Sequence, residues 1–163
     1  MARVDLRDIV TVADRAAALG VRRGPGQDIF VASVEQSFAD AVAYPEACAR
    51  YWAVYDPDVA EPVGFAMISD GIPLATLEED STLVGPYFLW RLLIDERHQR
   101  RGYGTAALDA LVGYVRSRPG ARTLLVSCHP GTDGPEPFYE RYGFVPNGRI
   151  VEGENVLDFD LGG

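Results

Sequence analysis

The sequence predicts an α+β domain, an α/β mixture built on one central mixed sheet of about six to seven strands flanked by about four helices. Three observations predict it. Apolar runs with strand character occur in both halves of the chain. Between them, a run over 86–94, an amphipathic helix over 104–117 and a run over 122–128 form a strand–helix–strand unit. A unit of that length makes a right-handed crossover between parallel strands. A helix and two closing strands follow instead of a second copy, so the sheet is mixed.

The elements follow in order along the chain. Residues 2–9 alternate, Val4 and Leu6 against Arg3, Asp5 and Arg7, as in a strand with one covered face. Residues 11–19 are an Ala-rich helix closed by Gly20. After Gly24-Pro25-Gly26, Ser33 caps a second helix with Gln36 at the capping-box position, and Pro45 ends it. Residues 50–55 and 62–69 pair antiparallel around Asp56-Pro57-Asp58. Residues 71–85 are read as an irregular loop with the acidic triplet Glu78-Glu79-Asp80. The near-continuous apolar strand 86–94 belongs at the centre of the sheet. Leu108, Leu111, Val112 and Val115 share one helix face, and Pro119-Gly120 stops that helix. Asp133 is the expected N-cap of the last helix, with Glu136 completing a capping box, Pro135 in the first turn and Gly143 at the stop. Strands at 144–149 and 154–161 finish the chain.

The 163 residues form a single domain over 1–163, and 47% apolar content supplies a core. No apolar run approaches the roughly 18–20 residues that cross a bilayer. The opening Met1-Ala-Arg-Val-Asp-Leu-Arg-Asp8 lacks the apolar centre of a signal peptide. Cys48 and Cys128 have no metal-type spacing and suggest no disulfide framework. The expectation is a cytoplasmic protein with no metal and no membrane partner. A formal charge of −9 argues against a nucleic-acid partner, which needs a basic face. It suits a cationic substrate through long-range attraction, although solubility alone also accounts for it.

The segment Ile94-Asp-Glu-Arg-His-Gln99-Arg-Arg-Gly102-Tyr-Gly104-Thr105 carries the functional signal. A strand ends, a basic turn follows, and two glycines open a helix. Free N–H groups at such a start, with no side chain blocking approach, form a cradle for phosphate. Arg97, Arg100 and Arg101 oppose the global charge there and point to an anionic ligand. Gly102-x-Gly104-x-x-Ala107 also fits the loose dinucleotide fingerprint. Context counts against a dinucleotide-binding protein. Residues 95–101 separate strand from glycine, and the next strand ends Ser127-Cys128-His129 without the acid that would bind a ribose.

Gln99-x-x-Gly102-x-Gly104 resembles the Q/R-x-x-G-x-G/A signature of the GNAT superfamily of acyl-CoA N-acyltransferases, and Phe138-Tyr139-Glu-Arg-Tyr-Gly143-Phe144 resembles its later F-Y-x-x-x-G-F signature. The likeness covers residues 50–163 well and the first 45 in outline. The run Phe88 to Asp95, with His98-Gln99 and Gly102-Tyr-Gly104, is similar to bacterial spermine/spermidine (diamine) acetyltransferases. The resemblance implies a splayed pair of parallel strands, 86–94 and 122–128, with acetyl-CoA as co-substrate in the split. Leu92, Leu93 and Ile94 would bind pantetheine through their backbone. Gln99, Arg100, Arg101, Gly102, Tyr103, Gly104 and Thr105 would hold the pyrophosphate. Thr132 stands where the family has an asparagine contact.

Acetyl transfer needs a deprotonated amine, whose pKa is about 10.4 when lysine-like. It also needs donors for the oxyanion and a proton for the departing thiolate. A backbone N–H near Leu92–Leu93 suits the oxyanion. The resemblance makes Tyr139 the general acid. Phe138 and Tyr142 share a helix face, and Tyr139 points about 100° away, so the first two are expected in the core and Tyr139 toward the cofactor. Many family members carry a glutamate base in the central strand, but this chain has Trp90 and Arg91 there. His129 is the candidate base from its residue type. Glu35 and residues 78–80 are weaker candidates for substrate contact. Trp52, Trp90, Tyr51 and Tyr87 read as core. Cys128 reads as apolar filler and not as an acyl carrier. The expected acceptor is a small primary amine, first a polyamine. An aminoglycoside-like or protein amine, or a non-catalytic acyl-CoA-binding module, are the alternatives. Edge pairing of the closing strands suggests a homodimer.

Overall fold

The computed structural model describes residues 2–27, 30–80 and 82–162. The chain runs β1 (Asp5–Asp8), α1 (Val12–Leu19), α2 (Val34–Ala43), β2 (Ala49–Tyr55), β3 (Gly64–Asp70), α3 (Leu74–Glu79), β4 (Tyr87–Ile94), α4 (Tyr103–Arg116), β5 (Thr123–Cys128), α5 (Glu136–Tyr142), β6 (Val145–Val151) and β7 (Glu154–Asp160). The strands form one sheet in the order β1-β2-β3-β4-β5-β7-β6. β4 lies at its centre, as its apolar run requires, and its pairing with β5 is parallel.

Each face of the sheet is covered. Leu108, Leu111, Val112 and Val115 of α4 pack on Trp52, Val54, Ala66, Ile68 and Leu89. On the opposite face Ala18, Val21, Val34 and Phe38 pack on Phe65, Met67 and Leu93. Adjacent residues of β3 thus face opposite layers, and full burial of each large apolar side chain stabilises the fold by about 1.5–3 kcal/mol.

One irregularity shapes the centre. Met67 pairs with Arg91, but Ile68 pairs with Leu89, so Trp90 is an extra residue in β4. Such a bulge shifts the alternation of a strand by one. Tyr87 and Leu89 belong to the α4 layer before it, and Leu92 and Ile94 after it, while Leu93 faces the other layer. Beyond the bulge, β4 leaves β5. Their parallel register covers Phe88 with Leu125 and Leu89 with Val126. The splayed pair therefore opens at the C-terminal ends of both strands.

Three local expectations are corrected. The loop 71–85 contains α3, an exposed helix without a buried residue. Asp133 does not cap α5, which starts behind Pro135 with no side-chain cap. Glu136 instead accepts a hydrogen bond from Asn155 Nδ2 at 3.0 Å. Ser33 caps α2 through the N–H of Gln36, but the Gln36 side chain turns to Asp40. A reciprocal capping box forms at Thr11 and Asp14, one helix earlier.

Candidate active site

The strand end is anchored before the cradle begins. Asp95 is fully buried and accepts from the backbone N–H groups of Arg22 and Arg97 at 2.9 Å each, and from Arg97 Nε at 2.8 Å. Burial pushes its pKa up, but hydrogen bonds from Arg97 and from both backbone N–H groups outweigh that and hold it at about 2. Arg97 is therefore committed to Asp95 and is not a free cation for a ligand.

The cradle follows. Arg100 and Gly102 adopt left-handed backbone, with φ of 64° and 83°. Alternation of this kind turns successive N–H groups into one concavity that suits anions. Gly102 is the N-cap of α4 and no side chain caps the helix, so its first N–H groups remain open. Gly104 lets Phe138 pack over the helix start: an added Cβ would lie 3.1 Å from Phe138 Cζ, and that ring would have to shift by a few tenths of an ångström. Gln99 Nε2 donates to Ile94 O and to Gln27 Oε1, each at 2.9 Å, tying the strand end and the 24–27 loop to the cradle.

A cleft of about 760 Å³ runs from this cradle into the gap between β4 and β5. Leu92, Leu93, Ile94, Gln99, Arg100, Gly102, Tyr103, Gly104, Thr105 and Tyr139 all line it. Arg101 and Thr132 are exposed and lie outside that lining. The Tyr103 side chain turns away, its hydroxyl donating to Asp56 at 2.6 Å, so its backbone faces the cradle. Arg141 and the wall Pro25, Gly26, Gln27 and Phe30 also line the cleft. Sequence reasoning missed the wall because no periodicity or motif marks one made by a distant loop, and it missed Arg141 because the Phe138–Phe144 motif marks its aromatics and glycine, not its arginine.

Tyr139 differs from expectation in its packing. It is the buried aromatic of α5, edge-on to Phe138 at 5.2 Å and Phe144 at 5.4 Å, whereas Phe138 and Tyr142 are partly exposed. The short helix presses its central residue into the sheet layer, where it also borders the cleft. Burial, then the neighbouring Cys128 and Glu154, pushes the phenol pKa well above its usual value, so it holds its proton through the neutral range. Cys128 is buried, and burial with Glu136, Glu154 and Glu140 nearby pushes its thiol up to about 12. A thiol so poorly ionised is a poor nucleophile, in agreement with the reading of Cys128 as filler.

A second cavity of about 550 Å³ shares Phe30, Val31, Trp90, Arg91 and Ser127 with the cleft. Asp40, Glu46, Glu152 and Glu154 bring four carboxylates to it, with His129 beside them. Arg91 Nη2 donates to Asp40 at 2.7 Å, which cancels one charge. His129 is exposed and stands edge-on to Phe30 at 5.7 Å. Glu35 and residues 78–80 do not line either cavity. Trp52 and Tyr87 are core, Tyr51 packs partly against the α2 layer, and Trp90 borders both cavities.

The model of the Acetyltransferase (GNAT) family matches residues 22–144. A curated spermine/spermidine N(1)-acetyltransferase of Bacillus subtilis (strain 168) is 29% identical over 156 residues, spanning 93% of this chain and 95% of that protein. Among solved structures, the GNAT domain of S. lividans PAT superposes with a TM-score of 0.68 at 15% identity, covering 98% of this chain and 90% of that one. AtaTR bound with AcCoA gives 0.65 at 17% identity, covering 98% and 94%. The ribosomal-protein-S18-alanine N-acetyltransferase from Escherichia coli gives 0.59 at 16% identity, covering 97% and 94%.

Proposed function

Because the chain belongs to the GNAT acetyltransferase family and is an acetyl-CoA-dependent N-acetyltransferase, we propose that its acceptor is a small polyamine or diamine, acetylated directly in a ternary complex. The observation that carries this reading is the meeting of an acid-lined cavity with the cofactor cleft at Trp90, Arg91 and Ser127. Three of its four carboxylates are left after Arg91 takes Asp40, enough to receive an acceptor with more than one ammonium. The curated relative named for spermine and spermidine acetylation supports the same acceptor class.

The cradle at residues 99–105 holds the diphosphate of acetyl-CoA, with the α4 dipole adding attraction. Arg100 and Arg141 supply positive charge at its rim. The stretch from Trp90 to Ile94 has no β5 partner; Arg91 occupies Trp90 O and Gln99 occupies Ile94 O, and the other backbone groups that face the split bond pantetheine and receive the thioester oxyanion. Attack by the amine nitrogen forms the C–N bond, and loss of the C–S bond releases CoA sulfur. Tyr139 gives that sulfur its phenolic proton.

The test is a panel of amines with acetyl-CoA, read as free thiol. Spermidine and diamines are expected to turn over fastest. Preference for an aminoglycoside or a peptide amine would replace the acceptor and keep the chemistry. Thermal stabilisation by CoA with no turnover on any amine would support a non-catalytic binding module instead. Neither that module nor a dinucleotide-binding protein is favoured by the family membership.

A further inference from the structure

We propose that Glu154 is the catalytic base of the transfer, with its carboxylate oriented by Ser127. The inference rests on the N-acetyltransferase reading and supplies the group that β4 does not. Glu154 is the first residue of β7, and the next residue, Asn155, pairs with Cys128 at the last rung of the β5–β7 ladder. Glu154 therefore lies beside the open end of the split and lines the second cavity, next to Ser127, which both cavities share. Its Oε1 accepts a hydrogen bond from Ser127 Oγ at 2.9 Å, and Ser127 borders both cavities. Among the described residues, Oε2 has no hydrogen-bond partner and no cation pairs with Glu154.

The competing groups are each disqualified by their surroundings. Asp40 is held by Arg91 at 2.7 Å. Glu46 and Glu152 are exposed at the cavity rim. His129 is exposed and rests against Phe30. Glu154 is half-buried, and its charge reaches Arg91, Cys128 and Tyr139, the three groups that bracket the strand gap.

The ammonium of the acceptor gives one proton to the Glu154 carboxylate, and the freed nitrogen lone pair attacks the thioester carbon. The C–S bond breaks and Tyr139 protonates the sulfur. The proton still on nitrogen returns to the tyrosine oxygen, and Glu154 releases its proton to solvent. The net products are the N-acetyl amine, CoA thiol and one proton.

Glu154→Gln keeps the Ser127 contact and removes the base. For spermidine, kcat is expected to fall by about 10²–10⁴-fold. An aminooxy analogue of the acceptor is largely unprotonated at neutral pH and needs no base, so Glu154→Gln should acetylate it at close to the wild-type rate. Unchanged kcat on spermidine, a rise in KM alone, or equal losses on both acceptors would overturn the assignment. Glu154→Asp, which retains the charge but withdraws it by one methylene, should show a smaller loss with the same recovery. It decides the matter if the Gln variant melts early or loses CoA stabilisation. A wild-type protein that acetylates no amine would instead defeat the parent reading.

Discussion

Substituting Gly102 tests the diphosphate cradle with one atom. The left-handed backbone at φ 83° is the feature at stake, because an added Cβ would meet only Ala2 Cβ at 3.5 Å, an ordinary contact. Gly102→Ala therefore costs what an L-residue pays in that region, about 1–2 kcal/mol. If the cradle keeps its shape, stability falls by that amount, lowering Tm by about 2–8 °C for a chain of this size. If the turn relaxes instead, its N–H groups no longer converge, and KM for acetyl-CoA rises by about 5–30-fold. Gly113→Ala is the control. Gly113 lies exposed in α4 with nothing within 4 Å of an added Cβ, so alanine there should stabilise by about 0.5–1 kcal/mol. Thiol release against acetyl-CoA concentration, with melting curves for both variants, gives the answer. A Gly102→Ala protein with wild-type Tm and wild-type KM would refute the cradle.

Tyr139→Phe keeps the buried ring and removes the phenolic proton, so kcat should fall by about 10²–10⁴-fold while Tm and KM for acetyl-CoA change little; full turnover would take Tyr139 out of the mechanism. Cys128→Ala should retain turnover, because its thiol, pushed up to about 12, does not carry the acetyl group. The chain has no lysine, so intact-mass measurement during turnover reads acyl-cysteine against little background, and such an adduct at Cys128 would contradict direct transfer. Asp95 has its pKa lowered from 3.8 to about 2, so it stabilises the fold above pH 4 and loses that contribution as pH falls toward 2. Urea melts should show the wild type losing about 2 kcal/mol across that window, and Asp95→Asn should lack this loss while being less stable at neutral pH.

How far the sequence could be read depended on whether a feature is local. The α4 face was legible because Leu108, Leu111, Val112 and Val115 recur at helical spacing, and all four are buried. The central place of β4 was legible because its apolar run leaves no face for water. The bulge at Trp90 was not, because only the pairing with β3 shows it, and no single strand records its partner's register. The α5 aromatics mislead for a related reason. Spacing separates Tyr139 from Phe138 and Tyr142 but does not say which face meets the sheet, and the sheet takes Tyr139. Three arginines in the turn read as one basic cluster, yet Arg97 is spent on Asp95, two residues before it. Glu154 lies more than twenty residues beyond Ser127 in sequence, with an ordinary strand start around it, so nothing local marks it.

The bulge and Arg91 together explain why the base moves to β7. Trp90 shifts the strand by one residue and leaves Arg91 between the two cavities, where a free guanidinium would repel an incoming ammonium. Two unit charges about 4 Å apart interact by about 4 kcal/mol at the effective dielectric of a protein surface, enough to exclude a cationic acceptor. Burial lowers the Arg91 pKa, but Asp40 opposes that shift at 2.7 Å and keeps the group charged, so neutralisation comes from the ion pair. Asp40 can then neither bind the acceptor nor take its proton. The unpaired carboxylate beside the split then comes from another strand: β7 pairs with β5 up to Cys128, and Ser127 links its Glu154 to the cleft. In this chain the arginine at the centre of the sheet and the glutamate at the start of β7 are two parts of one charge arrangement: the first is silenced by α2 so that the second can act.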